Sequence, residues 1–174
     1  MVGLMIGSIL SVALYAPPPA GTIEFEGQQF RVTSDGLYAL NINGVERRFH
    51  NLPGPISSIP YNPLATTLLQ NAQETIITFD PSVSEDQLTF FDAVRFELRE
   101  AIPNTISAVT QQATNYPFPV VTCEQATNEQ PIIELREGEP EVTAVDNCIF
   151  VSGNLTAIIL SKDTLLYHYF DVLE

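Results

Sequence analysis

The most regular pattern in the chain is an alternation of apolar and polar residues over positions 22–50. Apolar side chains alternate with Glu24 and Arg31 in its first part, and the dipeptides Asp35-Gly36 and Asn43-Gly44 separate the runs that follow. Alternation with a period of two is typical of strands that bury one face, and Asp-Gly and Asn-Gly favour tight hairpin turns. The pattern therefore predicts an antiparallel β-meander.

Helical and strand patterns alternate in the middle of the chain. A proline-rich loop over 52–63 precedes a predicted short helix at 64–72, and the β-branched run 74–80 predicts a central strand. Ser84 then begins a helix with a capping-box pattern, in which the serine oxygen accepts a hydrogen bond from the backbone N–H three residues on. The apolar residues expected on the buried face of this helix are Phe91, Val94, Leu98 and Ile102.

The last third of the chain predicts further strands and a closing helix. Short apolar runs at 106–109, 120–123 and 131–135 are typical of strands, and the β-branched run 141–151 predicts a terminal strand. After a turn at 152–154, apolar residues recur with the helical period as far as Leu173. They predict a long amphipathic helix whose apolar stripe is interrupted only by Lys162.

These elements predict one domain of mixed α/β (α+β) class. An N-terminal antiparallel meander is expected to pack with a mixed sheet and two or three helices, closed by the long C-terminal helix. A chain of 174 residues with 45% hydrophobic content can bury one sizeable core. We find no internal repeat, and we expect the folded domain to cover residues 22–174.

The chain begins with an uncharged apolar segment, residues 1–16, followed by a proline-rich linker at 17–21. About 15 apolar residues match the core of a signal peptide better than a comfortable membrane span. A positively charged flank is missing. We expect an export signal or membrane anchor, which places the domain on the extracytoplasmic side of the cell membrane, or outside the cell if the segment is cleaved. The alternative is a buried helix or strand of the domain itself.

Charge excludes one class of partner. The formal charge is −14, from 21 acidic and 7 basic residues. Such a surface repels phosphates, so we expect no nucleic-acid partner. A broadly acidic surface suits solubility in salt or the attraction of cations.

Two cysteines and one asparagine are relevant to whether the protein is exported from the cell. Cys123 and Cys148 each belong to a strand-like run, and in an exported chain a disulfide closing the loop between them would stabilise the fold by about 3 kcal/mol. Two separate buried thiols are the alternative, and no metal is expected because two cysteines without a nearby histidine supply half a zinc site. Asn154 starts a glycosylation sequon, but it is also the expected N-cap of the last helix.

Catalytic signatures are missing from the sequence. We find no nucleophile motif and no glycine-rich phosphate loop, so we expect no cofactor. Asp80, Glu85 and His50 are weak candidates for a site, with Asp80 at the carboxyl end of the predicted central strand. For His50 and His168, packing is the expected role. The acidic stretch 134–141 lacks the order of a calcium loop, and a solvated hairpin turn around 138–140 is expected there.

A combination of short motifs suggests a relationship. The segments that carry it are 38–49 with its Asn-Gly turn, ITFDP at 77–81, 94–98, the cysteine contexts TCEQAT at 122–127 and NCI at 147–149, and 162–167. In this combination the chain resembles a group of uncharacterised exported proteins from small-genome archaeal lineages. The resemblance implies a membrane-anchored, disulfide-containing extracytoplasmic domain with a C-terminal helix, and it implies no activity.

We therefore expect a non-enzymatic, membrane-anchored cell-envelope protein with a structural or protein-interaction domain. It would contact the membrane through its N-terminal segment and an envelope protein through its domain. One alternative is an extracytoplasmic enzyme or solute-binding domain. Another is a filament subunit that self-assembles by donating residues 2–15 to a neighbouring copy.

Overall fold

The structure, a computed structural model, describes residues 21–173. The predicted signal or anchor segment, 1–16, and most of the linker at 17–21 lie outside these residues. Between residues 21 and 173, no helix has the length and the apolar character needed to cross a membrane.

The N-terminal part is an antiparallel meander of four strands that pair in chain order, as predicted. Its turns use residues that tolerate a left-handed backbone: Asn43 and Gly44 have φ of 52° and 83°. The Asn41 side chain accepts a hydrogen bond from the Gly44 N–H at 2.9 Å, which fixes the turn. The strands are β1 (Thr22–Phe25), β2 (Gln28–Val32), β3 (Tyr38–Ile42) and β4 (Val45–Phe49).

The second sheet has five strands in the order β6-β5-β7-β9-β8. Neighbouring strands run parallel except β8, which is antiparallel to β9 at the edge. Every residue of β5 is buried and the strand is paired on both sides, so the predicted central strand is confirmed. The strands are β5 (Thr75–Phe79), β6 (Thr105–Ser107), β7 (Ile132–Arg136), β8 (Glu141–Val145) and β9 (Cys148–Ser152).

Two predictions about the end of this sheet are wrong. The run 141–151 is not one strand, because it turns at Asp146, whose φ is 52°, and returns as β9. The turn at 138–140 is not a hairpin either. It joins β7 to β8, and β9 lies between those two strands and pairs with both.

The predicted helices at 64–72 and after Ser84 are confirmed. The Ser84 hydroxyl accepts a hydrogen bond from the Gln87 N–H at 3.2 Å, as the capping pattern predicts. The helices are α1 (Pro53–Ile56), α2 (Leu64–Asn71), α3 (Glu85–Ala101) and α4 (Ala157–Tyr169), and a short 3₁₀ turn covers Cys123–Gln125. Cys123 therefore lies in a turn and not in the predicted strand.

Helix α4 differs from the predicted amphipathic helix. It is shorter, and all residues from 161 to 167 are buried because α4 packs against α1, α2, α3, β8 and β9. A helix covered on every side has no solvent face on which polar residues can segregate. Tyr167 on α4 stacks on Phe49 of the meander with ring centres 4.0 Å apart, so this helix joins the two sheets into one core.

The predicted N-cap role of Asn154 is also wrong. Helix α4 begins after Thr156, and the Asn154 side chain instead accepts a hydrogen bond from the Gly138 N–H at 3.0 Å. Asn154 thus connects the β7–β8 turn to the β9–α4 turn.

Candidate functional site

Two carboxylates share one buried ammonium group at the centre of the molecule. Lys162 and Asp163 have no exposed side-chain surface, and Lys162 Nζ donates to Asp163 Oδ1 at 2.5 Å and to Glu97 Oε2 at 2.6 Å. Glu97 belongs to α3 and the other two residues to α4. The three charged groups therefore connect the two long helices, and Glu97 is the one member of the three that is exposed to water.

The second carboxylate oxygen of Asp163 binds the two residues that follow the last strand of the meander. Oδ2 accepts hydrogen bonds from the His50 N–H at 3.0 Å, the Asn51 N–H at 2.8 Å and Asn51 Nδ2 at 2.9 Å. One turn further along α4, the Tyr167 hydroxyl donates to the Asn51 carbonyl at 2.6 Å. Helix α4 thus fixes the backbone that follows β4 through a carboxylate that accepts hydrogen bonds at both oxygens.

His50 completes the cluster on its exposed side. Its Nε2 lies 2.9 Å from Glu97 Oε1, and about a third of each of these two side chains is exposed. Burial alone raises the pKa of the Glu97 carboxyl, but the hydrogen bond with His50 and the charge of Lys162 outweigh burial and lower the pKa to about 2. Glu97 is therefore a carboxylate at every physiological pH.

A cleft of about 340 Å³ opens beside His50 and Glu97, between the meander and the ends of the two long helices. Arg47 Nη1 donates to the Glu100 carbonyl at 3.2 Å, and the guanidinium lies 4.9 Å from the Phe170 ring centre. Among the described residues Arg47 forms no salt bridge. The remaining lining residues are Leu37, Glu46, Arg48, Phe49, Ala101 and Leu166.

The structure does not gather the three predicted site residues. Glu85 lies in the first turn of α3, twelve residues before Glu97, which separates the two by about 18 Å along the helix. Asp80 accepts hydrogen bonds from the Ser82 N–H at 2.8 Å, the Ser82 hydroxyl at 2.7 Å and Gln111 Nε2 at 2.7 Å. Burial raises the pKa of Asp80, but these hydrogen bonds lower it overall. Only His50 belongs to the cleft.

Sequence reasoning missed the other members of the cluster. The visible signal was Lys162, a charge within an apolar stripe, but Asp163 beside it was not singled out. Glu97 gave no signal, because a glutamate on a helix is ordinarily solvated. His168, the other histidine, stacks on the Tyr61 ring with centres 3.7 Å apart, and burial lowers its pKa.

A second group of side chains surrounds the two cysteines, on the face of the five-stranded sheet that lies opposite α4. Cys123 and Cys148 have Cα atoms 5.5 Å apart and their sulfur atoms within disulfide distance, so the predicted pair is found. Glu134 of β7 lies beside it, with Oε2 3.0 Å from Cys123 Sγ and Oε1 2.6 Å from Arg136 Nε. The two sulfurs and one Glu134 oxygen lie within 4.8 Å of one another.

Comparison with known protein families, curated proteins and solved structures finds no significant match to this chain.

Proposed function

We propose that this chain is a non-enzymatic cell-envelope protein with an extracytoplasmic domain that serves a structural or protein-interaction role. The observation that carries the proposal is the pairing of Cys123 with Cys148 at disulfide distance. Disulfides persist in oxidising compartments and are rare in a reducing cytosol. In this proposal the N-terminal segment holds the protein at the membrane.

The charged cluster supports a structural role over catalysis. Lys162, the one side chain that could offer an amine nucleophile, is enclosed and bound by two carboxylates. Asp163 uses its second oxygen to hold the backbone of His50 and Asn51. The groups best suited to chemistry are thus engaged in joining α3, α4 and the end of the meander.

Intact-mass measurement on the protein recovered from host membranes tests the proposal. The folded protein is treated with a thiol-alkylating reagent without reductant, and a matched sample is reduced and denatured first. We expect no alkyl group in the first sample, two in the second, and a mass that includes the N-terminal segment. Two alkyl groups in the first sample would contradict an oxidising location.

The cleft favours a second candidate function, the binding of a small organic carboxylate. Arg47 is partly buried there without a carboxylate partner among the described residues, next to the apolar side chains of Phe49 and Leu166. A guanidinium that has no carboxylate partner among the described residues, at an apolar wall, suits a ligand with one carboxylate and one apolar part. The cleft volume of about 340 Å³ lies at the lower end of the range for ligand sites.

Benzoate and its uncharged analogue benzamide test this second candidate. We expect benzoate, and not benzamide, to shift the NMR signals of the His50 ring in a saturable manner, and Arg47→Gln to remove the effect. Arg136→Gln, which changes an arginine elsewhere, is the matched control and should leave benzoate binding intact. Equal responses to the two compounds, or none to either, would reject the carboxylate site. The filament alternative concerns residues outside the described range and stays a prediction.

A further inference from the structure

We propose that reduction of the Cys123–Cys148 disulfide converts this part of the protein into a binding site for Zn²⁺, with Glu134 as the third ligand. The three side chains come from a 3₁₀ turn, β9 and β7, and their sulfur and oxygen atoms already lie within 4.8 Å of one another. The sequence showed two cysteines only, and pairing of β7 with β9 adds the carboxylate.

The strand register explains why Glu134 faces the cysteines. Ile132 of β7 lies opposite Cys148 of β9 in the parallel pair. Side chains two residues apart point to the same face of a sheet, so Glu134 lies on the face that carries Cys148. Arg136 holds Oε1 of this carboxylate at 2.6 Å, which leaves Oε2 directed at Cys123.

The ligand chemistry matches zinc. Two thiolates and one carboxylate are ligands that Zn²⁺ accepts, and three protein ligands leave a fourth position for water. Cys148 and its neighbours Ile132 and Ala108 are buried, whereas Cys123 is partly exposed and provides the route of entry. Calcium and magnesium are disfavoured because they prefer oxygen ligands.

Charge is balanced in both states. With the disulfide closed, Glu134 and Arg136 neutralise each other at 2.6 Å. With zinc bound, two thiolates and the Glu134 carboxylate contribute three negative charges, and Zn²⁺ and Arg136 contribute three positive ones. A partly buried site therefore gains no net charge when it binds the metal, which limits the desolvation cost.

The conversion has a defined stoichiometry. A dithiol reductant supplies two electrons and two protons to the S–S bond, giving two protein thiols and the disulfide of the reductant. Zn²⁺ then displaces both thiol protons. Zn–S bonds of about 2.3 Å at a tetrahedral angle place the sulfurs about 3.8 Å apart, so the bond between them must be broken before zinc binds.

Metal titration of the full chain tests the proposal. The protein is reduced, freed of reductant under nitrogen and titrated with Co²⁺ and then Zn²⁺, with circular dichroism recorded alongside. We expect one metal per chain, a thiolate-to-cobalt charge-transfer band, release of two protons per Zn²⁺, and no binding to the oxidised protein. Glu134→Gln should lower Zn²⁺ affinity at least tenfold. Substituting a residue that only hydrogen-bonds to a metal ligand already costs roughly 10-fold or more in affinity, and Glu134 is a ligand itself.

Glu124→Gln is the matched control, because Glu124 is an exposed neighbour of Cys123 outside the ligand set. It should bind Zn²⁺ as the unchanged protein does. A folded reduced protein without the cobalt band, or equal affinity in Glu134→Gln, would overturn the proposal. If reduction unfolds the chain, refolding on addition of Zn²⁺ supports the site and failure to refold rejects it. None of these results depends on whether the protein is exported.

Discussion

At the scale of single residues, stability depends most on how the buried charges at Lys162 are compensated. Removing an ammonium group from water costs several kcal/mol, and only close carboxylates offset that cost. Asp163 and Glu97 provide them at 2.5 and 2.6 Å. Because Asp163 is enclosed as completely as Lys162, loss of one partner leaves the other as an unpaired buried charge.

Lys162→Met keeps the length of the side chain and removes its charge, which leaves two carboxylates facing each other. We expect the free energy of unfolding to fall by about 3–5 kcal/mol, the range for breaking a buried pair. Urea denaturation at neutral pH measures it. Arg99→Met, at an exposed position on α3, is the control and should change stability little. A loss for Lys162→Met as small as that of the control would contradict the buried pair.

The low pKa of Glu97 predicts how stability depends on pH. Its carboxyl titrates at about 2 in the folded protein and near its ordinary value of 4.5 in the unfolded chain. The stabilisation is therefore fully present above about pH 4.5 and is lost as the pH falls towards 2, because the unfolded chain takes up the proton first.

Denaturation curves of the unchanged protein and Glu97→Gln, recorded between pH 6 and pH 2, test this prediction. We expect the unchanged protein to be the more stable at pH 6 and the difference to shrink below pH 4.5. A difference that stays constant over the whole range would show that Glu97 is not ionised in the cluster.

At the scale of secondary-structure elements, the turn between β9 and α4 leaves no room for a side chain at Gly153. A Cβ atom on Gly153 would lie 2.4 Å from Ile158 N and Cα, which is backbone and cannot move aside. The buried Gln87 of α3 completes the turn: its Nε2 donates to the Gly153 carbonyl at 3.2 Å, and its Oε1 accepts from the Leu155 N–H at 2.7 Å. Helix α3 thus positions the start of α4.

Gly153→Ala should destabilise the protein by about 3 kcal/mol or more, at the upper end of the cost of overpacking, because α4 must move away from β9. Gly54→Ala is a matched control. There the new Cβ would meet only the Phe25 ring, 3.0 Å away, and that partly exposed side chain can rotate. Thermal unfolding of the two variants measures the difference, and equal losses would argue against the close approach of β9 and α4.

At the scale of the whole molecule, the segments that cover the two faces of the mixed sheet are held by different means. Helix α4 joins the meander to the mixed sheet by packing and charge, through Tyr167 and Asp163. On the opposite face of the mixed sheet, the segment before β7 is fastened by the Cys123–Cys148 pair and by a hydrogen bond of 2.8 Å from the Thr78 hydroxyl to the Val121 carbonyl.

Loss of the disulfide should lower the free energy of unfolding by about 3 kcal/mol, since the bond closes a loop of 25 residues in the unfolded chain. Denaturation with and without reductant, both with a metal chelator present, measures the effect. The Cys123→Ala/Cys148→Ala variant is the control, because reductant should leave its stability unchanged. A reductant effect of the same size in that variant would show that the disulfide is not its cause.

Much of the secondary structure could be predicted because its causes are local. The Asn43-Gly44 turn, the Ser84 cap and the β-branched strand ending at Phe79 depend on residues next to one another in the chain. Several predictions from local patterns are wrong, among them three near the C-terminus: Asn154 is not a cap, the run through Asp146 folds back on itself, and α4 is not amphipathic. For Asn154 and α4 the deciding contacts come from distant segments, whereas the run through Asp146 folds back at a local turn and its two halves pair with each other.

The sequence by itself determined the class of fold, the meander, the helices and the pair of cysteines, since period, turn chemistry and composition act over short distances. Only the tertiary structure decided that Glu97, Lys162 and His50 form one cluster, and that Glu134 lies beside Cys123 and Cys148. The physical reason is that charge pairing and ligand geometry depend on distances of a few ångströms between residues far apart in the chain. Packing of α4 between the sheets and pairing of β7 with β9 set those distances.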